Sequence, residues 1–254
     1  MSPHPAPATP SSGAPELAVV VPVRNEADNI DSLIEEIHAA LDGRLAFEVI
    51  YVDDGSDDAT PQVLKQAKAR WPRLRTARHA ASAGQSKAIL TGVQIARAPW
   101  IATLDGDGQN DPADIPALLE ASRGQGAERA KVLIAGHRRK RRDTLVKQIS
   151  SRIANRVRAG LLGDDTPDTG CGLKVFARAT FLDLPRFDHM HRFLPALIIR
   201  EGGRVVSVGV NHRHRTRGTS KYGTFDRLWV GLVDLAGVRW LMARARRPIV
   251  EDHD

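Results

Sequence analysis

The stretch "LAVVVPVRNEADNIDSLIEEIHAALDGRLAFEVIYVDDGS", Leu17 to Ser56, decides the fold. It opens on the apolar run "LAVVVPV", passes through the amphipathic "ADNIDSLIEEIHAAL", and returns to apolar "FEVIYV" before "DDGS". A near-continuous apolar strand, a helix and a second such strand make a βαβ unit, and such units build a parallel sheet covered on both faces. The alternation continues through "TPQVLKQAKAR", "LRTARH", "GQSKAILTGVQIAR" and "WIATLD", so the first half is expected to be a Rossmann-like α/β layer. Ligands of such sheets bind beyond the carboxyl ends of the strands. Three polar clusters sit at those ends, "PVRNEADN", "VDDGSDD" and "LDGDGQNDP", and are expected to converge on one crevice.

The second half continues the pattern. "KVLIAGHR" reads as a strand, and a helix is expected from about Asp143 to Leu162, with Leu145, Ile149, Ile153 and Val157 recurring at i, i+4 and Lys147, Arg152, Arg156 and Arg158 on its other faces. "GLKVFA" is a further strand, short helices surround "RFLPALIIRE", and "RVVSVGVNH" is the last strand. "FDRLWVGLVDLAGVRWLMARARRP" closes the chain as an amphipathic helix with a basic tail. The expected organisation is a tail over 1–15, one α/β domain over 16–224, and the helix and tail over 225–254. The opening "MSPHPAPATPSSGAPE" is rich in Pro, Ser and Ala without an apolar core or basic start, and is expected to be disordered and not a signal peptide. A cytoplasmic location follows as an expectation.

Of 254 residues, 42% are hydrophobic, ample for a sizeable core. A single cysteine, Cys171, excludes an internal disulfide and fits a reducing compartment, and no Cys/His spacing of a metal site appears. No apolar run reaches the roughly 18 to 20 residues that a bilayer-spanning helix needs. The formal charge of +7 calls for anionic partners: nucleic acid, an anionic membrane surface or phosphorylated small molecules.

In "WIATLDGDGQNDP", Asp105, Asp107 and Gln109 alternate with glycines. If that chain stays extended, the three oxygen-bearing side chains share a face, which suits a hard cation. An ordinary turn is the alternative. Oxygen-only ligands favour Mg²⁺ or Mn²⁺ held partly by substrate phosphates. "VDDGSDDAT" is either helix-start chemistry or the place where Asp53 and Asp54 meet a base and ribose. "GQSK" lacks the earlier glycine of a P-loop, and neither "DGDGQN" nor "GCGLKV" completes G-x-G-x-x-G, which argues against an ATPase or a dehydrogenase. "GHRRKRR" and "NHRHRTRGTSKYG" are basic; Arg215, Arg217, Ser220 and Lys221 form a set suited to several phosphate oxygens at once. Lacking interleaved aromatics, these runs are not expected to bind nucleic acid. His189, His191, His212 and His214 are given no metal role, and Cys171 reads as a packing residue.

"VVVPVRNEADNI", "VDDGSDDAT", "GQSKAILTG", "LDGDGQNDPADI", "DTGCGLKVF" and "RTRGTSKYG" occur in an order that resembles family-2 glycosyltransferases of the dolichyl-phosphate mannose synthase and undecaprenyl-phosphate glycosyltransferase type. The resemblance spans roughly Leu17 to Gly223. It implies a GT-A fold, a nucleotide-sugar donor, UDP- or GDP-linked, and a polyprenyl-phosphate acceptor. It places Pro22, Arg24, Glu26, Asp53, Asp54, Lys87 and Asp105 at the nucleotide, and Asp105, Asp107 and Gln109 on Mg²⁺ or Mn²⁺ at the donor diphosphate. Arg138, Ser150 or Ser151, Arg215, Ser220 and Lys221 match the phosphate clamp for donor and acceptor, with Asp107, Arg138, Arg215 and Lys221 the expected catalytic set. Two departures stand out: Arg24 where relatives commonly carry Tyr or Phe, and "GCGLK" in place of a Ser-Gly-Phe-Arg pattern. A lipid monophosphate is largely dianionic at pH 7 and attacks without a base, so in-line attack with inversion is expected. A hydroxyl acceptor, on a glycan or on lipid A or another membrane lipid, would instead need a base such as Asp168. The terminal helix either packs on its own domain or lies in the membrane interface with Trp229 and Trp240 at headgroup depth and Arg244, Arg246 and Arg247 near anionic lipid.

Overall fold

Every second residue of the first strand faces the same way, and here both ways lead to apolar packing. Leu17, Val19, Val21 and Val23 of β1 (Leu17–Val23) belong to one buried cluster and Ala18 and Val20 to another on the opposite face. The computed structural model describes residues 13–139, 158–213 and 224–245, with the backbone alone for 224–230. Within them α1 (Ala27–Leu41), β2 (Phe47–Asp53), α2 (Thr60–Arg70), β3 (Leu74–Arg78), α3 (Gln85–Ile95), β4 (Trp100–Thr103), α4 (Ile115–Arg123) and β5 (Val132–Arg138) follow the expected alternation. β6 (Lys174–Ala177), α5 (Arg178–Leu182), α6 (Leu194–Arg200), β7 (Arg204–Val210) and α7 (Thr224–Ala243) complete it.

The seven strands lie in the order β3-β2-β1-β4-β6-β5-β7. All run the same way except β6, which pairs antiparallel with both β4 and β5. The mostly parallel α/β architecture therefore stands as expected. The direction of β6 has a consequence for function: Lys174, its first residue, sits opposite Thr103, near the end of β4, and so enters the sheet where the parallel strands finish. One core cluster joins the sheet to α1, α2 and α4, the other to α3, α5 and α6. Burial of this size, at about 25 cal/mol per Å² of apolar surface, is the dominant favourable term.

The long helix expected from Asp143 lies outside the described residues except for 158–162, which are helical. α7 packs Leu235, Val238 and Met242 against the second cluster, and Arg200 Nε donates to the Leu241 carbonyl. Its other side leaves Leu232, Val233 and Trp240 more than 40% exposed. Among the described residues, no helix is long and apolar enough to cross a membrane.

Candidate active site

The carboxyl ends of β1, β2 and β4 meet, as three strands in parallel register must. Val23 is level with Asp53, Val20 with Thr103, and the Asp54 and Leu104 amides donate back to the carbonyls of Val23 and Val20. The polar clusters thus converge, but they do different work.

The acidic residues after β1 and β2 are turned inward. Asp54 accepts four hydrogen bonds: Oδ1 from the Ala83 amide at 2.8 Å and His79 Nδ1 at 2.7 Å, Oδ2 from Ser82 Oγ at 2.7 Å and the Gly84 amide at 2.9 Å. Those bonds hold its carboxyl below the usual carboxylate range against the cost of burial. Asp53 Oδ1 caps the Ser56 amide at 2.9 Å and Oδ2 lies 3.4 Å from Arg78 Nε. Glu26 accepts from Asn29 Nδ2 at 2.7 Å, and its amide donates to Thr60 Oγ1. Of the carboxylates expected at the nucleotide, Asp54 is the one whose two oxygens are both filled by its own chain, and it thereby shapes the loop beside the crevice. Gly55 joins this turn at φ +68, and a Cβ there would collide with the backbone of Ala81 and Ser82. Arg24 is exposed at the rim and Pro22 lines the cleft.

The segment after β4 is a turn and not an extended chain. Gly108 has φ +73 and the Gln109 amide donates to Asp107 Oδ1 at 3.1 Å, so the alternation argument for Asp105, Asp107 and Gln109 fails geometrically. Asp105 and Asp107 are close all the same. Burial in the cleft and then the charge of Asp107 push the Asp105 carboxyl up to about 6. Asp105 Oδ1 accepts from Gln85 Nε2 at 2.8 Å, while Oδ2 of both aspartates takes no hydrogen bond from a described residue. Two like charges, each with an oxygen that no described residue bonds, suit a divalent ion. Among the described residues, no group of three or more His, Cys, Asp or Glu side chains is placed to hold a metal ion.

Gly172 explains the "GCGLK" stretch. A Cβ built on it would fall on the Asp105 carboxylate, so only glycine lets that side chain occupy the cleft. Behind it Lys174, 4% exposed, donates from Nζ to the carbonyls of Cys171 and Thr169. Burial lowers its pKa, and the Cys171, Asp105 and Asp168 charges oppose that shift. Cys171 is buried, and burial raises its thiol pKa, in keeping with a packing role.

Arg138 was expected to be a phosphate clamp. Its Nε and Nη2 make a bidentate pair with buried Asp168 at 2.6 and 2.7 Å, which fixes the guanidinium through two of its three nitrogens. The same pair occupies both oxygens of Asp168 and argues against that residue as a base. No described contact brings the Lys87 ammonium to the cleft; of "GQSK" it is Gln85 and Ser86 that reach it, Gln85 at Asp105 and Ser86 Oγ 2.7 Å from His191 Nδ1. Ser150, Ser151, Arg215, Ser220 and Lys221 lie outside the described residues. The segment leading to the last three is fastened to the turn: the Arg213 amide donates to the Gln109 carbonyl, and its guanidinium pairs with Asp111 and Glu36. Sequence reasoning missed Gln85, Lys174 and His191. Lys174 alone carried a signal, as a charged residue opening an apolar strand.

Comparison with known proteins agrees with this geometry. The model of glycosyl transferase family 2 matches residues 18–184. A dodecaprenyl-phosphate galacturonate synthase of Rhizobium johnstonii is 35% identical over 92% of this chain and 69% of its own length. An undecaprenyl-phosphate 4-deoxy-4-formamido-L-arabinose transferase of Edwardsiella ictaluri is 30% identical over 82% of this chain and 63% of its own length, so the chain spans about two thirds of these relatives. Two solved structures share the fold: mannosyl-3-phosphoglycerate synthase from Rubrobacter xylanophilus (TM-score 0.70, 16% identity, 93% of this chain and 77% of that one) and glucosyl-3-phosphoglycerate synthase from Mycobacterium tuberculosis with Mn²⁺, UDP and glucosyl-3-phosphoglycerate (TM-score 0.63, 18% identity, 92% and 81%). The inward aspartates, the paired carboxylates after β4 and the reversed β6 thus belong to a glycosyltransferase: the chain is a member of glycosyl transferase family 2.

Proposed function

We propose that the protein transfers a sugar from a UDP- or GDP-linked donor to a polyprenyl phosphate, with inversion at the anomeric carbon. The observation that carries this reading is the pair Asp105 and Asp107 after β4, each with a carboxylate oxygen that accepts no hydrogen bond from a described residue. Asp105, Asp107 and the Gln109 side chain would hold Mg²⁺ or Mn²⁺. Such an ion supplies charge neutralisation for the departing diphosphate. The Asp54-clamped loop 79–84, Pro22 and Arg24 border the nucleotide. Arg138, oriented by Asp168, offers its guanidinium to a phosphate oxygen, and Arg215, Ser220 and Lys221 complete the clamp. Cations fixed before the reaction cost no reorganisation as charge develops. The acceptor reading draws on the relatives named for polyprenyl phosphates and on chemistry: a phosphate dianion attacks unaided, and Asp168, the carboxylate suited to activate a hydroxyl, is tied to Arg138. The exposed Leu232, Val233 and Trp240 face of α7 suits an anionic membrane surface where the lipid resides.

Calorimetric titration of the full chain with UDP and GDP, with and without Mn²⁺, tests the donor site. Metal-dependent binding of one nucleotide, lost in Asp107→Ala, is the expected result; no binding under any condition overturns the reading. Product formed on undecaprenyl phosphate and analysed by NMR tests the rest, and retention of the donor's anomeric configuration would exclude single displacement.

A further inference from the structure

The last described pair of the β5–β7 ladder is Arg138 with Val210. The next three residues bond instead to the chain that follows β4. The Asn211 amide donates to Asp114 Oδ2 at 2.7 Å, His212 forms an antiparallel bridge with Asn110, and the Arg213 amide donates to the Gln109 carbonyl at 2.9 Å. The end of β7 and the turn that carries Asp105, Asp107 and Gln109 are thus one hydrogen-bonded unit.

The Arg213 side chain extends that unit to α1. Its Nη1 meets Glu36 Oε2 at 2.6 Å and its Nη2 meets Asp111 Oδ1 at 2.7 Å. Asp111 Oδ1 also accepts the Ala113 amide at 3.0 Å, at the start of the helical turn that leads into α4. A planar guanidinium that bridges two carboxylates of separate elements fixes their spacing, which the single nitrogen of a lysine does not. The side chains of Arg213 and Glu36 are each 40% exposed, and ion pairs that open to water contribute little to stability. The junction therefore does more for the placement of its elements than for the stability of the fold.

Gly108, at φ +73, reverses the chain, and Asn110 beyond it is buried. Between those two points the Gln109 carbonyl is held by Arg213. A ligand that fixes the turn therefore steadies the strand end, and the effect runs both ways because coupling between two sites is reciprocal. Beyond Arg213 the chain leads to Arg215, Ser220 and Lys221, the phosphate clamp of the reading above.

We propose that Arg213 is a positioning residue that joins the cation turn to the end of β7, so that a metal–nucleotide complex bound at the turn also orders residues 211–213. This rests on the donor-site reading above. Hydrogen exchange of the full chain, with and without Mn²⁺ and whichever of UDP or GDP binds, tests it. In the wild type the ligand should slow exchange about tenfold in peptides covering 105–114 and in those covering 207–213. Arg213→Gln should keep the first effect and cut the second to less than about threefold. Glu36→Gln, which leaves every group of the turn in place, should weaken the second effect in the same sense. Calorimetric affinity for the metal–nucleotide complex should stay within about threefold of the wild type in both variants, which also reports folding. A larger loss of affinity in Arg213→Gln alone would make Arg213 a direct ligand contact and overturn the positioning role. Protection confined to 105–114 in the wild type, or protection of 207–213 that survives both substitutions, also overturns the proposal and leaves the donor site standing. Failure of every nucleotide to bind overturns both.

Discussion

Asp54 and Asp105 both follow strands of one sheet, yet one is saturated and the other is not. Asp54 accepts four hydrogen bonds from its own chain; Asp105, among the described residues, accepts one, from Gln85, and faces the charge of Asp107. The contrast separates architecture from chemistry. A buried carboxylate whose lone pairs are filled by the protein stabilises the loop that fills them, whereas one left short of donors is destabilised until a ligand completes it.

The comparison breaks most sharply on ligand binding. Asp105→Asn should reduce metal-dependent nucleotide affinity by about a hundredfold or more, since a ligating charge is lost, while the protein becomes slightly more stable at pH 7. The sign follows from the raised pKa. With a folded value near 6 against 3.8 unfolded, the folded state binds the proton more tightly, so the carboxyl opposes folding above pH 6 and that penalty fades as pH falls toward 4. A thermal melt with a lowered midpoint for Asp105→Asn would sink this assignment. Asp54→Ala should act the other way, costing about 3 kcal/mol of stability by orphaning the four donors of loop 79–84, read as a lower denaturation midpoint with metal binding retained. A neutral effect on stability would remove the distinction between the two aspartates.

Gly172→Ala sharpens the comparison from the other side. The added methyl must displace the Asp105 carboxylate, so turnover should fall about tenfold to a hundredfold with a smaller change in melting temperature. The smallest expected effect is a pH slope. His191, with a folded pKa near 3 against 6.5 unfolded, contributes stability that is full above pH 6.5 and declines as pH falls toward 3, at no more than about 1.4 kcal/mol per pH unit. His191→Phe should flatten the decline in melting temperature between pH 6.5 and 5; an unchanged slope would show that the ring titrates freely.

Much of this was legible in residue order. The βαβ alternation from Leu17 onward requires parallel strands, because a strand buried on both faces needs helices above and below it, and parallel strands bring their carboxyl ends to one crevice. The oxygen-rich turn after "WIATL" marks the proposed cation site whichever way its backbone runs. Arg138 and Asp168, by contrast, are 30 residues apart and show their pairing only once β5 is in place. Lone histidines carry no signal of their own, and His191 acquires meaning from Ser86, 105 residues away.

By itself, then, the sequence determined the layer architecture and the end of the sheet where the polar clusters gather, since periodicity and residue chemistry are local properties. Only the tertiary structure decided which carboxylates are hydrogen-bonded by the chain itself, that β6 runs backwards to carry Lys174 to the cleft, and that Ser86 meets the ring of His191. Hydrogen-bond saturation depends on partners brought from distant parts of the chain, and no local pattern records them.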